Sequence, residues 1–417
     1  TYNGFVNGET LATSGLTGIP GFVTPADERS SVGTYPITPA DGTLAANNYE
    51  FRYVSGTLTI GKATLLVTAD PKQKTYGSSN PELTATFTGF MNNETLASSG
   101  VMGTPSLTTP ASVSSQVGSY DIKAAIGSLT SGNYLFTFDN GVLSIGKATV
   151  VVKADNQTKA YGAANPALTV TYNGFMLGQN LASSGTIGAP VLSTSANEYS
   201  KVGEYDITIT TGTLAALNYE FTVQKGTLAV GKATLNVTAE SKYKIYGSPN
   251  PVFTATINGF VNGESLITSG VQGEPGFTTE VDQFTQVGDY AIRPTGGNLS
   301  ADNYAFNYVN GTLSVRKATL RVIADNRSRV YGAANPMFTA SYEGFVNGES
   351  FVTSGITGTP GLTTSAVATT PVGRYAILAA NGSLSSRNYQ FEFLNGLLTI
   401  GKATVTVKAD NKSKAYG

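Results

Sequence analysis

The sequence predicts an all-β chain: a linear array of 85-residue β modules joined without flexible linkers. An immunoglobulin-like sandwich is favoured for each module, with a β-grasp-like arrangement as the alternative. Three observations predict it. First, a Lys-Ala-Thr passage that runs on to Tyr-Gly recurs five times. Its lysines are Lys62, Lys147, Lys232, Lys317 and Lys402, its tyrosines Tyr76, Tyr161, Tyr246, Tyr331 and Tyr416, and every step is 85 residues. Second, apolar and polar residues alternate over short runs separated by turn signals, with no sustained helical periodicity. Third, no insertion or deletion breaks the register. A fixed period longer than a solenoid coil, with units large enough for a core, means an array of whole small domains.

The repeat 146–230 shows each element in order. "ATVVVKA" alternates Val150, Val152 and Ala154, the pattern of a half-buried strand. "AYGAANP" holds Gly and Asn-Pro and reads as a turn. "ALTVTYNGF" alternates Leu168, Val170 and Tyr172, a second strand. "GQNLASSG" fits one helical turn ended by Gly185, and "GAPVLSTS" a short edge strand, where Pro is tolerated. "GEYDITIT" alternates Tyr205, Ile207 and Ile209; "NYEFTV" alternates Tyr219, Phe221 and Val223; "GTLAV" carries Leu228 and Val230. Six or seven short strands read as a sandwich or small barrel. The same core positions recur as Tyr120/Ile122, Tyr290/Ile292 and Tyr375/Ile377, and as Tyr134/Phe136, Tyr304/Phe306 and Tyr389/Phe391. Glycines of the Gly89, Gly118 and Gly141 type fall at strand ends, where positive φ or a tight turn is expected.

The expected boundaries are 1–60, a partial module missing its first strand; 61–145, 146–230, 231–315 and 316–400, complete modules; and 401–417, the first strand of a further module. Both ends fall inside a repeat, which reads as a window cut from a longer array. The junction residues are Gly61, Lys62, Gly146, Lys147, Gly231, Lys232, Arg316, Lys317, Gly401 and Lys402. In "GTLTIGKATLLVTAD", Leu58 and Ile60 lie on one parity and Leu65, Val67 and Ala69 on the other. A one-residue slip turns a strand's side chains to the opposite face, so the last strand of one module runs into the first of the next through a kink. Equal joints between equal modules predict a rod whose repetition supplies reach and stiffness.

Composition removes several functions. The chain has no Cys, His or Trp, is 13% charged, and carries a formal net charge of −1. It is not basic enough to track a phosphate backbone, so nucleic acid is not an expected partner. No apolar run is long enough for a membrane span. A serine triad or thiol site has no residues to use. A carboxylate pair needs two recurring acids. Only one acidic position recurs throughout, Asp70, Asp155, Glu240, Asp325 and Asp410, while the next best, Glu94, becomes Gln179 in the third repeat. No enzyme and no cofactor are therefore expected. Calcium stays an open alternative at the junctions, because "KADNQTK" offers Asp155, Asn156 and carbonyls; an Asx turn is the simpler reading. Lys147, Asp155 and Asn133 recur together and supply the inventory of an internal isopeptide crosslink; a solvated lysine and a turn-bonded asparagine are the simpler reading. Tyr161 suits either a sugar-stacking platform or, favoured, a ring covering the core edge with its hydroxyl on backbone.

The combined pattern "KADNQTKAYGAANPALTVTYNGF", "SSG", "VGEYDI", "NYEF" and "GTLAV" resembles the MBG domain of Tyr-Gly type, and the resemblance covers the whole chain. It implies tandem modules of a large bacterial surface protein, such as an adhesin exported by two-partner secretion. The implied location is extracellular, at the bacterial cell surface or in a secreted fibre. The implied role is a stalk or fibre for surface adhesion or biofilm. No catalytic residues come with the resemblance. The alternatives are ligand- or glycan-binding adhesin modules, or a filament subunit assembling by strand donation. The expected partners are neighbouring modules of the same chain, with lateral or head-to-tail copies of the chain in a fibre.

Overall fold

A computed structural model describes residues Thr1–Gly417, built from strands and turns with no helix. The chain forms two compact units: Thr1–Asn156 with Ala167–Thr194 and Asp206–Thr227, and Gln157–Pro166 with Ser195–Tyr205 and Leu228–Gly417. The third module is divided between them, so the complete fold is described from 61–145 in the first unit and from 231–315 and 316–400 in the second.

Module 61–145 has seven strands: β1 (Ala63–Ala69), β2 (Lys72–Thr75), β3 (Ala85–Thr88), β4 (Ser106–Thr108), β5 (Gly118–Ala125), β6 (Tyr134–Asp139) and β7 (Gly141–Gly146). One sheet has the order β3-β1-β6, the other β2-β7-β5-β4. β1 runs antiparallel to β3 and parallel to β6. β7 runs parallel to β2 and antiparallel to β5, and β4 forms the far edge. Two sheets with no helix make a sandwich; the β-grasp alternative, which lays a helix across one sheet, does not apply.

The alternation in the sequence becomes the core. Leu65 and Val67 of β1, Ile122 of β5 and Leu143 of β7 are fully buried. Their counterparts Leu235, Val237, Ile292 and Leu313, and Leu320, Val322, Ile377 and Leu398, are fully buried in the second unit. Each such side chain contributes about 1.5–3 kcal/mol, so a handful of residues carries each module. Gly141 is fixed by crowding and not by a positive φ: a Cβ there would lie 2.4 Å from the Ala69 carbonyl oxygen.

Nothing apolar in the sequence marks strand β2, "KQKT"; it forms by parallel pairing to β7. The "GQNLASSG" stretch closes a single α-turn, with the Ser184 amide donating to the Asn180 carbonyl at 2.9 Å and Gly185 at φ 70°, and stops short of a helix. The predicted change of phase is present: β7 buries Leu143 and Ile145, and the next strand, Ala148–Ala154, buries Ala148, Val150, Val152 and Ala154. Only Lys147 separates them. The phase changes because β7 lies in a four-stranded sheet while Ala148–Ala154 is the centre of the next three-stranded one.

The partial module shows how strands depend on partners. Gly21–Val23, Gly33–Ala40 and Gly56–Ile60 correspond to β4, β5 and β7. "NYEFRY", the counterpart of β6, forms no strand, since its sheet neighbour would be a β1. Phe5, Phe22, Ile37, Phe51 and Tyr53 line the open groove this leaves. Residues 402–417, expected as a first strand, likewise form none and are exposed.

Candidate functional site

The recurring residues converge on the contact between one module and the next. Tyr161 follows strand Gln157–Ala160, and its amide continues that ladder to the Gly231 carbonyl at 2.8 Å. Its ring is 6% exposed and meets Tyr304 of the following module edge to face, centroids 5.6 Å apart. The Tyr161 hydroxyl donates to Glu264 Oε1 at 2.7 Å and the Tyr304 hydroxyl to Glu264 Oε2 at 2.5 Å. One carboxylate therefore bridges two phenols from two modules. Tyr246, Tyr389 and Glu349 repeat this, with hydroxyl bonds of 2.6 and 2.5 Å. In the first unit Tyr76 meets Tyr219 at 5.5 Å, but Gln179 stands in place of the glutamate. It holds Tyr219 at 2.5 Å and Tyr76 only at 3.5 Å.

The glycine of Tyr-Gly makes room. Gly162 has φ +80°, and a Cβ there would lie 2.3 Å from Val261 Cγ2 of the next module. Gly247 meets Val346 and Gly77 meets Met176 in the same way, at 2.4 and 2.5 Å. Asparagine completes the contact. Asn133, Asn218, Asn303 and Asn388 each use Oδ1 to accept from the backbone amide of Val32, Val117, Val202 and Val287 of the preceding module, at 3.0–3.1 Å. Asn262 and Asn347 donate from Nδ2 to the carbonyls of Glu198 and Gln283 of the preceding module, at 3.1 and 3.2 Å. Both hold positive φ, which asparagine tolerates; Leu177 holds the same conformation in the third module.

A cation, half-buried as Lys74 and buried as Lys244 and Arg329, braces the loop that receives these contacts. Lys74 Nζ donates to the carbonyls of Ser78 and Ser112, and Asn80 Nδ2 to that of Ala111. Two and three repeats later Lys244 donates to the Asp282 carbonyl and Asn250 Oδ1, and Arg329 to the Val367 carbonyl and Asn335 Oδ1, while Asn250 and Asn335 donate from Nδ2 to the carbonyls of Val281 and Ala366. Burial pulls the Lys244 ammonium below its ordinary range. These residues escaped the sequence reading, although a basic residue recurs there every 85 positions. Burial first, and Glu264 second, push the Tyr304 phenol up to about 12. Tyr161 is raised by its bond to Glu264 and then by burial. Both phenols stay neutral donors to the shared carboxylate.

Lys62, Lys147, Lys232 and Lys317 donate from Nζ to the carbonyls of Ser131, Ala216, Ala301 and Ser386, at 2.8–2.9 Å, within their own modules. Gly61, Gly146, Gly231 and Gly401 have no atom closer than 3.8 Å to a Cβ position, so a side chain fits, and Arg316 occupies that place at the start of module 316–400 with its guanidinium 4.0 Å over the Tyr243 ring. Lys402 is exposed. The crosslink set is not brought together: Lys147 is on Ala216, Asn133 on Val32, and Asp155 accepts from Thr169 and Thr171 at 2.7 and 2.6 Å. Those threonine bonds hold the Asp155 carboxyl below its usual range. No group of three or more Asp or Glu gathers to hold a metal. The Tyr161 hydroxyl reaches a carboxylate of the next module and not the backbone, which corrects that expectation. The pair is 103 residues apart in different repeats, beyond any local pattern.

The profile of the MBG domain (YGX type) matches residues 1–59, 65–144, 150–229, 235–314 and 320–399. The chain belongs to this family. In these MBG repeats the Tyr-Gly signature is a joint residue pair: the tyrosine packs on the next module and the glycine admits it. No curated protein matches the chain. Among solved structures it is similar to the protocadherin GammaB4 extracellular domain, at 10% identity over 90% of this chain and 73% of that one, with a TM-score of 0.19. Drosophila N-cadherin EC1-4 gives 9% identity, 80% and 100% coverage and a TM-score of 0.21. Sidekick-1 immunoglobulin domains 1–4 give 10%, 80% and 96%, and 0.20. At these scores the likenesses carry no argument about fold or function. No helix of the MBG array is long and apolar enough to cross a membrane.

Proposed function

We propose that the chain is a non-enzymatic structural repeat region of a large bacterial extracellular protein, a stiff stalk or fibre segment serving surface adhesion or biofilm. One observation carries this reading. Three recurring features, the Tyr-Gly pair, the asparagine and, in every repeat but the third, the glutamate, are spent on holding neighbouring modules together. A ligand-binding module would turn a recurring patch outward; here the recurring tyrosines Tyr76, Tyr161 and Tyr246 are buried in joints. Linkerless joints with fixed contacts suit a spacer that sets distance. Small-angle scattering on chains of increasing module number tests it. A maximum dimension that grows linearly supports the stalk, and growth with the square root of module number rejects it.

A further inference from the structure

Each complete module opens and closes with strands that run side by side in one direction. In 61–145, β1 pairs with β6 from Ala63↔Tyr134 to Thr68↔Asp139, and β2 pairs with β7 from Lys72↔Leu143 to Thr75↔Gly146. The offset is 71 residues at every pair of both ladders. The opening segment changes sheet at Asp70 and Pro71 and the closing segment at Asn140, level with each other, so the register survives the crossing. Two backbone bonds extend it: the Ala63 amide to the Asn133 carbonyl at 3.0 Å and the Tyr76 amide to the Gly146 carbonyl at 2.9 Å. The second unit repeats the arrangement, 233–245 beside 304–316 and 318–330 beside 389–401, again offset by 71. There a side chain bridges the crossing point too. Ser241 Oγ accepts from the Thr312 amide at 3.1 Å, and Asn326 Oδ1 from the Leu397 amide at 2.7 Å.

We propose that each module is a tension-bearing element, in which a pull along the chain is carried as shear across this terminal parallel ladder. The chain enters at the start of β1 and leaves at the end of β7. Pulling these points apart drives the opening segment backward and the closing segment forward along their shared register. The ladder bonds are loaded together, and the set must fail before either segment unravels. A hairpin opened at its end breaks its bonds one at a time. Load also passes straight onward, because Lys147 alone separates β7 from the next opening strand. This property belongs to the module and holds whatever the array displays, so it stands or falls separately from the stalk reading.

The test is single-molecule stretching of the full chain between its two ends. The expected trace is a series of ruptures of similar force, each releasing one 85-residue module, roughly 28–31 nm at the extended length per residue, less the span of the folded module. The comparison attaches the handles through S106C and A125C in the same chain, which has no cysteine of its own. Ser106 and Ala125 are exposed and face each other at one end of the β4–β5 ladder, so this pull opens bonds in sequence. The first rupture there is expected at several-fold lower force. End-to-end ruptures no stronger than those from the S106C/A125C handles, or a chain that extends with no ruptures, would overturn the proposal.

Discussion

Tyr161 and Tyr304 meet edge to face across a joint, planes at 86°, and both hydroxyls donate to Glu264. The aromatic contact contributes about 0.5–1.5 kcal/mol beyond its area, and hydrogen bonds to an ionised acceptor are roughly twice as strong as neutral ones. Tyr331, with no module body packed on it, is 47% exposed, against 6% for Tyr161. That difference measures what a joint covers. Array stability is then a sum of module terms and nearest-neighbour terms, with this cluster at the centre of the latter.

Gly162→Ala should damage the joint more than Gly332→Ala damages its module. Both glycines hold positive φ, at +80° and +86°, so both variants carry the same backbone strain of roughly 1–2 kcal/mol. Only Gly162 faces a neighbouring side chain; Gly332 has nothing within 4 Å. Overpacking adds about 1–3 kcal/mol at Gly162 alone. Urea midpoints of the two variants measure the gap, and equal losses would show that Val261 does not press on Gly162 in solution.

Gln179→Glu should strengthen the joint between the second and third modules. It restores the carboxylate present at Glu264 and Glu349, where the bond from the preceding tyrosine is 2.6–2.7 Å instead of 3.5 Å. The gain expected is about 1 kcal/mol from converting a neutral acceptor to a charged one. Hydrogen exchange at the Val117 amide, held across the same joint by Asn218, reports it. Slower exchange is expected, and unchanged exchange counts against the carboxylate bridge.

The second unit should lose stability in alkali. The Tyr304 phenol has an ordinary value of 10.0 and rises to about 12 in the folded chain. The folded state binds that proton more tightly than the unfolded state. The resulting stabilisation is complete below pH 10 and is lost as pH rises from 10 to about 12. Tyr161, Tyr246 and Tyr389 are raised as well and add to the same loss. Denaturation midpoints across this window should fall, and less steeply in Glu264→Gln, which removes one cause of the shift. A flat profile would contradict the shared-carboxylate joint.

Asn388→Ala should cost about 1–3 kcal/mol, the range for leaving a buried donor without its acceptor. Asn388 is buried and its Oδ1 receives the Val287 amide at 3.1 Å. Asn381→Ala, at an exposed turn, is the control. Thermal unfolding compares them, and matching midpoints would mean that water replaces Asn388 at no cost.

The intact mass should equal the sum of the residues. Lys147, Asp155 and Asn133 each hold a different partner, an arrangement with no isopeptide bond. Loss of one ammonia or one water per module would reinstate the crosslink.

Alternation and period were enough to read the array and most strands, because Leu143, Ile145, Val150 and Val152 mark one buried face by parity alone. β2 was hidden, since "KQKT" owes its strand to a partner 71 residues away and not to its own composition. The joint was hidden for a related reason. Tyr161 and Glu264 both recur, yet nothing local says that they meet across 103 residues. Asn133 read as a turn residue because its acceptor role is served by a module before it, 101 residues back. Strict recurrence of such residues was visible; the partner was not.

The single-residue connection at Lys147 also bears on how such a chain avoids folding into the wrong pairs. Neighbouring repeats are near-copies, so strand Ala148–Ala154 could in principle join either its own partner, beginning with Ala148↔Tyr219, or the look-alike β6 just before it. Closing a short loop costs less entropy than closing a long one, which favours the wrong choice. A parallel pair, however, needs a crossover of about a dozen residues or more. Only residues 140–147 lie between β6 and Ala148, and most of them belong to β7. The nearest kinetic trap is thus sterically out of reach, and lengthening the connection with a flexible insert would reopen it.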